Sequence, residues 1–184
     1  MINQNFIEEI LSQKHQSIAR AISIIEDNNP EKVEALLSKI YNKTGNAYRI
    51  GITGPPGAGK SSIANEIIKR LSPHKKIAVL SVDPTSPFTG GALLGDRVRM
   101  NQYLFNDDVF IRSMGSRGDL GGLTKKAQEV GDVLAASGKD IIIYETVGVG
   151  QGELDVSKAV DLTIVVLVPE SGDEVQLMKA GLIE

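Results

Sequence analysis

The chain has 184 residues, of which 41% are hydrophobic, 23% charged and 4% aromatic, and its formal net charge is −3. This composition is typical of a globular protein with a sizeable core, and the charge gives no attraction to nucleic acid or to a membrane surface. The absence of cysteine excludes disulfides and thiolate metal sites. No run of about 20 apolar residues predicts a membrane span, and no signal-peptide pattern is present, so the expected location is the cytoplasm.

The first part of the chain is predicted to be helical. Apolar residues at helical spacing predict one long amphipathic helix over residues 1–27. Residues 28–30 end this helix, and Pro30 suits the first turn of a second helix that ends near residues 44–46. We therefore predict an N-terminal helical extension, residues 1–46, ahead of a second unit, residues 47–184. Packing against a sheet is the favoured role of the extension, and a docking surface for a partner is the alternative.

Residues 54–61 match the phosphate-binding pattern G-x-x-x-x-G-K-[ST] without a mismatch. An apolar, β-branched run at residues 48–53 predicts a strand before this loop, and residues 62–71 have helical spacing after it. Glycines let successive N–H groups surround phosphate oxygens, and the helix N-terminus adds partial positive charge. In this interpretation Lys60 contacts the β- and γ-phosphates and Ser61 binds Mg²⁺. The residues predicted to bind a nucleoside triphosphate are Gly54, Pro55, Pro56, Gly57, Ala58, Gly59, Lys60, Ser61 and, at the α-phosphate, Ser62.

Strand and helix patterns alternate after this loop. Strands are predicted at residues 76–82, 109–112, 140–144 and 161–168, and helices at residues 95–105, 123–136 and 172–183. The unbroken apolar run of the last strand predicts burial on both of its faces. The alternation predicts an α/β fold with a mostly parallel sheet flanked by helices, in which ligands bind at the carboxyl ends of the strands.

Three carboxylates follow predicted strands on the side where phosphates would lie. Asp83 and Asp96 come after the second strand, and Glu145 follows the strand at residues 140–144. Mg²⁺ is usually held by one or two carboxylates together with phosphates and water. We therefore predict a metal site from these carboxylates and Ser61, with Glu145 in the Walker-B role and the N–H of Gly148 near the γ-phosphate. The alternatives are a turn for Asp83 and helix capping for Asp96.

Four segments together resemble the MeaB/ArgK family, G proteins in the signal-recognition-particle and MinD-like branch of P-loop NTPases. The segments are GITGPPGAGKSS, SVDPTSPFTGGALLGDRVRM, ETVGVGQGE and VPESGDEVQLMKAG. The resemblance implies a GTPase that binds GTP or GDP with Mg²⁺ and is a chaperone for an adenosylcobalamin-dependent acyl-CoA mutase of the methylmalonyl-CoA mutase type. It further implies that the chaperone gates cofactor loading from an adenosyltransferase, or protects the mutase.

The resemblance also assigns three switch segments. Residues 86–96 resemble switch I, residues 145–153 resemble switch II, and residues 168–179 resemble a third switch that reports nucleotide state to the mutase. Ras-like proteins have a water-orienting glutamine where switch II has Val149, so we expect slow intrinsic hydrolysis unless Gln151 or a residue ordered by the partner substitutes. The residues expected to act in catalysis are Lys60, Asp96, Glu145, Gln176 and Lys179.

The family's guanine-reading N-K-x-D motif and its dimerisation arm are expected beyond Glu184, so the resemblance describes a GTPase domain truncated before its specificity motif. Guanine specificity, and a homodimer of the full-length protein, are implied by the resemblance alone. One alternative is an ATP-dependent kinase or ATPase linked to amino-acid transport. Another is a nickel-delivery GTPase, which needs Cys or His ligands, whereas this sequence has no cysteine and two isolated histidines.

Overall fold

The computed structural model describes residues 2–83, 103, 106–115, 123–146 and 156–169. Within these ranges the strands are β1 (Tyr48–Thr53), β2 (Ile77–Asp83), β3 (Val109–Gly115), β4 (Ile141–Thr146) and β5 (Leu162–Val165). The helices are α1 (Gln4–Leu11), α2 (His15–Glu26), α3 (Pro30–Ile40), α4 (Lys60–Leu71) and α5 (Leu123–Ala136), with a 3₁₀ turn at Tyr41–Lys43. The strands form one parallel sheet in the order β3-β2-β4-β1-β5, so the predicted α/β fold is confirmed.

The register of the sheet determines which residues meet at its carboxyl edge. β4 lies between β2 and β1, and Glu145 is level with Ile52 on one side and with Ser81 on the other. β3 pairs with β2, so that the last residues of these two strands, Gly115 and Asp83, are level. Because all the strands are parallel, their carboxyl ends share one edge, and the loop after β1 begins there.

Alternate residues of the strands divide the core into two parts. On one side, Leu80 and Ile142 belong to a buried cluster with apolar residues of α1, α2, α3 and α5. On the other side, Val79 and Ile143 belong to a cluster with Ile68 and other residues of α4. For the part of the chain described here, we call these sides the four-helix face and the α4 face.

The predicted single helix over residues 1–27 is wrong. The stretch forms two helices, because α1 ends at Leu11 and Gln13 adopts a left-handed φ of 65° before α2 begins. The chain turns there, so α1 packs against α2, and Ile10 and Ile18 are both fully buried in the same cluster. One straight helix of this length would extend beyond the face that buries these side chains.

The predicted second helix is confirmed. α3 begins at Pro30, and the side chain of Asn29 accepts a hydrogen bond of 3.1 Å from the N–H of Lys32. α1, α2 and α3 each contact α5 or one another, and their apolar residues share one buried cluster with the sheet. These helices therefore pack against the sheet. The division of the chain into residues 1–46 and 47–184, and a docking role for the helices, stay predictions.

The last predicted strand is shorter and less buried than predicted. β5 lies at the edge of the sheet as described, and it pairs with β1 alone. Its residues are exposed or half-buried, and 44% of Leu162 is exposed. The predicted burial on both faces is wrong, because a strand with one neighbour lacks the packing that a central strand such as β4 receives.

The other predicted strands and helices with described residues exist, with bounds that shift by a few residues. β3 continues past residue 112 to Gly115, and β4 continues past residue 144 to Thr146, so Glu145 lies within the strand. The helices predicted at residues 95–105 and 172–183 lie outside the described residues, apart from Tyr103. In the part of the chain that is described, no helix has the length and apolar character needed to cross a bilayer.

Candidate nucleotide-binding site

The loop between β1 and α4 turns sharply into a helix N-terminus. Gly54, Gly57 and Gly59 have φ values of 140°, 78° and 94°. Gly59 is left-handed and immediately precedes Lys60, the first residue of α4. The first N–H groups of a helix have no partner within that helix, and they carry the positive end of its dipole. The loop therefore leads to a group of N–H donors that attracts anions.

Gly54 lies against the segment that follows β5. A Cβ at this position would be 2.1 Å from the backbone O of Val166, a separation at which the backbone would have to move. The N–H of Val166 donates to the O of Thr53 at 2.8 Å, which fixes that segment beside the start of the loop. Glycine is required here both by the left-handed φ and by this close approach.

Lys60 is the buried cation of the loop, with 6% of the residue exposed. Its Nζ donates hydrogen bonds to the backbone O of Gly54 at 2.7 Å and to the backbone O of Pro55 at 2.9 Å. A buried ammonium group requires such acceptors, because removing it from water without partners is costly. The same donors are able to contact phosphate oxygens.

Ser61 and Glu145 join the helix to the central strand. The hydroxyl of Ser61, in the first turn of α4, donates to Oε1 of Glu145, near the carboxyl end of β4. Glu145 is buried, with 4% exposed. A hydroxyl and a carboxylate are hard oxygen ligands of the kind that Mg²⁺ prefers, so this pair fits a magnesium ion beside the loop.

Some of the predicted metal and switch residues lie outside the described part of the chain, namely Asp96, Gly148, Gln176 and Lys179. Asp83 is the last residue of β2 and therefore lies at the same edge of the sheet as Glu145. Among the described side chains, no group of three or more His, Cys, Asp or Glu residues is able to hold a metal ion. The structure thus brings together Ser61 and Glu145 from the predicted metal set.

The remaining predicted loop residues differ in exposure. Pro55 is buried, Ala58 is half-buried, and Pro56, Gly57 and Ser62 are exposed. The N–H of Ala58 donates to the O of Pro55 at 3.2 Å, which closes the turn. The exposed residues leave one side of the loop open for a ligand.

Two threonines at the site were missed in the sequence. Thr53 ends β1 and Thr146 ends β4, and both are buried. The side-chain oxygens of these threonines are 3.3 Å apart and hydrogen-bonded, and the hydroxyl of Thr146 also contacts the O of Ile52 at 3.5 Å. Their positions in the sequence, directly before Gly54 and directly after Glu145, were the available signal. The pair links the two strands from which the loop and the carboxylate extend.

Comparison with known proteins gives a consistent result. The model of the family described as Methylmalonyl Co-A mutase-associated GTPase MeaB matches residues 18–184. The chain is 51% identical over 179 residues to a Pyrococcus abyssi protein named "Putative GTPase", and 38% identical over 192 residues to GTPase ArgK of Escherichia coli. These alignments cover 97% and 100% of this chain but 55% and 58% of the relatives, so the chain spans just over half of their length.

A solved structure supports the same grouping. The crystal structure of LAO/AO transport system kinase has a TM-score of 0.67 to this chain at 30% sequence identity. The match covers 90% of this chain and 51% of the solved chain. The phosphate-loop geometry, the sheet order and the family match over most of the sequence agree, and the chain belongs to the MeaB family of methylmalonyl Co-A mutase-associated GTPases.

Proposed function

We propose that this chain is the nucleotide-binding part of a GTP-hydrolysing chaperone for an adenosylcobalamin-dependent acyl-CoA mutase. The observation that carries the proposal is the loop at residues 54–61, in which a glycine turn leads into α4. A buried Lys60 bonds to the carbonyl of Gly54, and the next residue, Ser61, donates to Glu145. The family's description, which associates these GTPases with methylmalonyl-CoA mutase, supports the choice of partner. The proposed setting is the cytoplasm, with an adenosyltransferase as a second partner and a homodimer for the full-length protein.

In this proposal the triphosphate binds against the loop and the N-terminus of α4. Lys60 exchanges its hydrogen bonds to the carbonyls of Gly54 and Pro55 for bonds to the β- and γ-phosphates. The N–H groups at the start of α4 donate to the same phosphates. The exposed hydroxyl of Ser62 then contacts the α-phosphate.

Mg²⁺ would be held by the hydroxyl oxygen of Ser61 and by Glu145, directly or through water, with Asp83 and Asp96 as further carboxylates. The bound ion supplies neutralisation of the negative charge on the phosphates. Ser61 would turn its hydroxyl proton away from Glu145 so that a lone pair faces the ion. The N–H of Gly148 would donate to the γ-phosphate.

We further propose that intrinsic hydrolysis is slow and that the mutase accelerates it. Val149 has no group that can orient an attacking water, so this function falls to Gln151 or to a residue that is ordered by the partner, and we propose the second. Gln176 and Lys179 are the proposed residues, and Asp96 and Glu145 act beside them through the metal.

A kinase linked to amino-acid transport is the second candidate, because the solved relative is titled a transport system kinase. The relatives that are named GTPases favour hydrolysis. The two activities differ in the fate of the γ-phosphate, which is released to water by a hydrolase and transferred to an acceptor by a kinase.

The test compares wild type with Lys60→Ala and with Lys69→Ala, a matched control on the same helix whose side chain is 69% exposed. Lys60→Ala should weaken triphosphate binding about 100-fold, because charge-assisted hydrogen bonds to phosphate are lost, and the control should bind as wild type does. Binding is measured with fluorescent GTP and ATP analogues, and the product with γ-labelled nucleotide. Triphosphate affinity within about threefold of wild type in Lys60→Ala would refute the phosphate-loop assignment.

A further inference from the structure

The middle of β3 is tied to α2 by a largely buried ion pair. The guanidinium of Arg112 donates to Oε2 of Glu26 at 2.8 Å, to the O of Ala19 at 2.6 Å and to Oγ of Ser23 at 2.9 Å. The Arg112 and Glu26 side chains are 16% and 8% exposed. All three acceptors belong to α2, so one arginine fixes this helix against the strand.

Glu26 also reaches the backbone of β3. Its Oε1 accepts a long hydrogen bond, 3.4 Å, from the N–H of Gly115, the last residue of the strand. Gly115 is level with Asp83, the last residue of β2 and a proposed ligand of the metal. A side chain of the N-terminal helices thus contacts the backbone directly beside the edge of the sheet where nucleotide would bind.

The position of Glu26 is unfavourable for a carboxylate in two respects. It is the last residue of α2, where the helix dipole disfavours negative charge, and it is buried. Replacing a buried ion pair with apolar residues often costs little stability, so net stability alone gives a weak reason for charges here. What the pair does provide is a fixed orientation, because it joins two elements through several directional hydrogen bonds.

We propose that Glu26 and Arg112 are positioning residues for the metal-nucleotide site, acting through the ends of β3 and β2. They hold the backbone of Gly115 in place and, through the pairing of β3 with β2, the backbone of Asp83. The carboxylate of Asp83 is a proposed ligand of Mg²⁺. They also connect the N-terminal helices to the site. This inference rests on the proposed function, since Asp83 has this role only if a metal-nucleotide complex binds at the loop.

A second ion pair provides a matched control. Arg49, near the start of β1, donates to Oδ1 of Asp132 in α5 at 2.6 Å, and the side chains are 16% and 36% exposed. This pair also joins a strand to a helix on the four-helix face. It lies at the amino ends of the strands, on the opposite edge of the sheet from the loop. Breaking it should lower stability without changing the metal site.

The experiment measures Mg²⁺ affinity with a fluorescent GDP complex of the full chain, together with stability towards urea. The variants are Glu26→Ala, Glu26→Gln and the control Asp132→Ala. Glu26→Ala should weaken Mg²⁺ binding about tenfold, the effect expected when a group that supports a metal ligand is removed. Glu26→Gln keeps one acceptor and should lose less. Asp132→Ala should bind Mg²⁺ as wild type does, and binding of the analogue without Mg²⁺ should be equal in all variants.

Unchanged Mg²⁺ affinity in Glu26→Ala would overturn the positioning role, even if stability falls. Equal losses with and without Mg²⁺ would overturn it as well, because they indicate a general disturbance of the loop. If Glu26→Ala does not fold, the same measurements are made on the near-isosteric Glu26→Gln, and the same two outcomes would overturn the proposal. Failure of the proposed function is distinguishable, because wild type would then bind no nucleotide or Lys60→Ala would bind as wild type does, and both proposals would fall.

Discussion

The two faces of the sheet differ in how much apolar surface they bury and in what their helices contribute. On the four-helix face, α1, α2, α3 and α5 share a large buried cluster in which Ile22 and Leu36 have no exposed surface. On the α4 face, a smaller cluster packs α4, whose first residues Lys60 and Ser61 belong to the phosphate loop. Among the described residues, the larger buried cluster therefore lies on the four-helix face, whereas the helix that begins at the phosphate loop lies on the α4 face. An apolar core substitution on the four-helix face should therefore change stability without changing nucleotide affinity, whereas one on the α4 face should change both.

The largest expected effect is on the α4 side, from Gly54→Ala. The added methyl group would collide with the O of Val166. The φ of 140° at this position also disfavours any residue with a side chain, so the loop must change shape. Nucleotide affinity should fall about 100-fold or more, as expected when several hydrogen bonds to phosphate are lost together. Gly45→Ala is the control, because a Cβ there meets nothing within 4 Å. Fluorescent nucleotide binding measures both, and similar affinities in the two variants would contradict this account of Gly54.

The second prediction tests the comparison directly with two core substitutions. Leu36→Ala, on the four-helix face, should lower the free energy of unfolding by about 2–5 kcal/mol and leave nucleotide affinity unchanged. Ile68→Ala, on the α4 face, should lower stability by a similar amount and also weaken nucleotide binding, because this side chain anchors α4. Urea unfolding and nucleotide titration on the same samples give both values. A loss of affinity in Leu36→Ala alone would reverse the assignment of the faces.

The third prediction concerns a close contact within the four-helix face. A Cβ at Gly131, in α5, would lie 2.3 Å from the hydroxyl of Tyr144 and 3.0 Å from the Arg49 guanidinium. Although alanine is the better helix former, Gly131→Ala should destabilise the protein by about 1–3 kcal/mol through overpacking.

The matched background for this test is Tyr144→Phe, which removes the hydroxyl. That hydroxyl donates to the O of Ala127 at 3.0 Å, so the single variant should cost about 1 kcal/mol. Gly131→Ala should cost less in this background than in wild type, and the non-additivity in urea unfolding measures the clash. Additive losses would show that the tyrosine hydroxyl is not the obstacle.

The smallest expected effect is a pH dependence on the four-helix side. Burial lowers the pKa of Lys139 to about 8, from an ordinary value of 10.5. Between these two values the unfolded chain holds a proton that the folded chain has lost, so folding becomes more favourable as pH rises. The gain should be about 1 kcal/mol after allowance for screening by solvent.

Lys139→Met provides the reference for this measurement, because other groups titrate in the same range. The free energy of unfolding of wild type minus that of the variant should increase between about pH 8 and about pH 10.5. The Nζ of Lys139 donates to the O of Asp108 at 3.1 Å, and this contact is possible in either protonation state. A difference that is flat with pH would show that the buried amine keeps its ordinary pKa.

Two kinds of feature were predictable from the sequence, namely those defined by neighbouring residues and those that follow from the shared carboxyl edge of a parallel sheet. The strand, glycine turn and helix around residues 54–61 were predictable because the spacing of a few neighbouring residues defines them. The meeting of Ser61 with the strand of Glu145 followed from the rule that parallel strands end at one edge.

Other features were not predictable for physical reasons. The break between α1 and α2 depends on a left-handed Gln13, a residue type that carries no turn signal. The apolar run of β5 resembles that of a central strand, and pattern alone does not give the position of a strand in the sheet. Glu26 and Arg112 are 86 positions apart, so only the tertiary fold reveals their contact.

The contacts of Lys60 have a consequence for nucleotide exchange. Because its ammonium group already bonds to the carbonyls of Gly54 and Pro55, phosphate does not have to strip water from a solvated side chain. In the proposed binding mode, phosphate oxygens would replace these carbonyls as acceptors of the Lys60 ammonium group, and departure of the nucleotide would restore the bonds to the loop. In the absence of nucleotide, the hydrogen bonds of the lysine would then hold the loop in its turn conformation. Exchange should therefore alter the hydrogen bonds of the loop more than the path of its backbone.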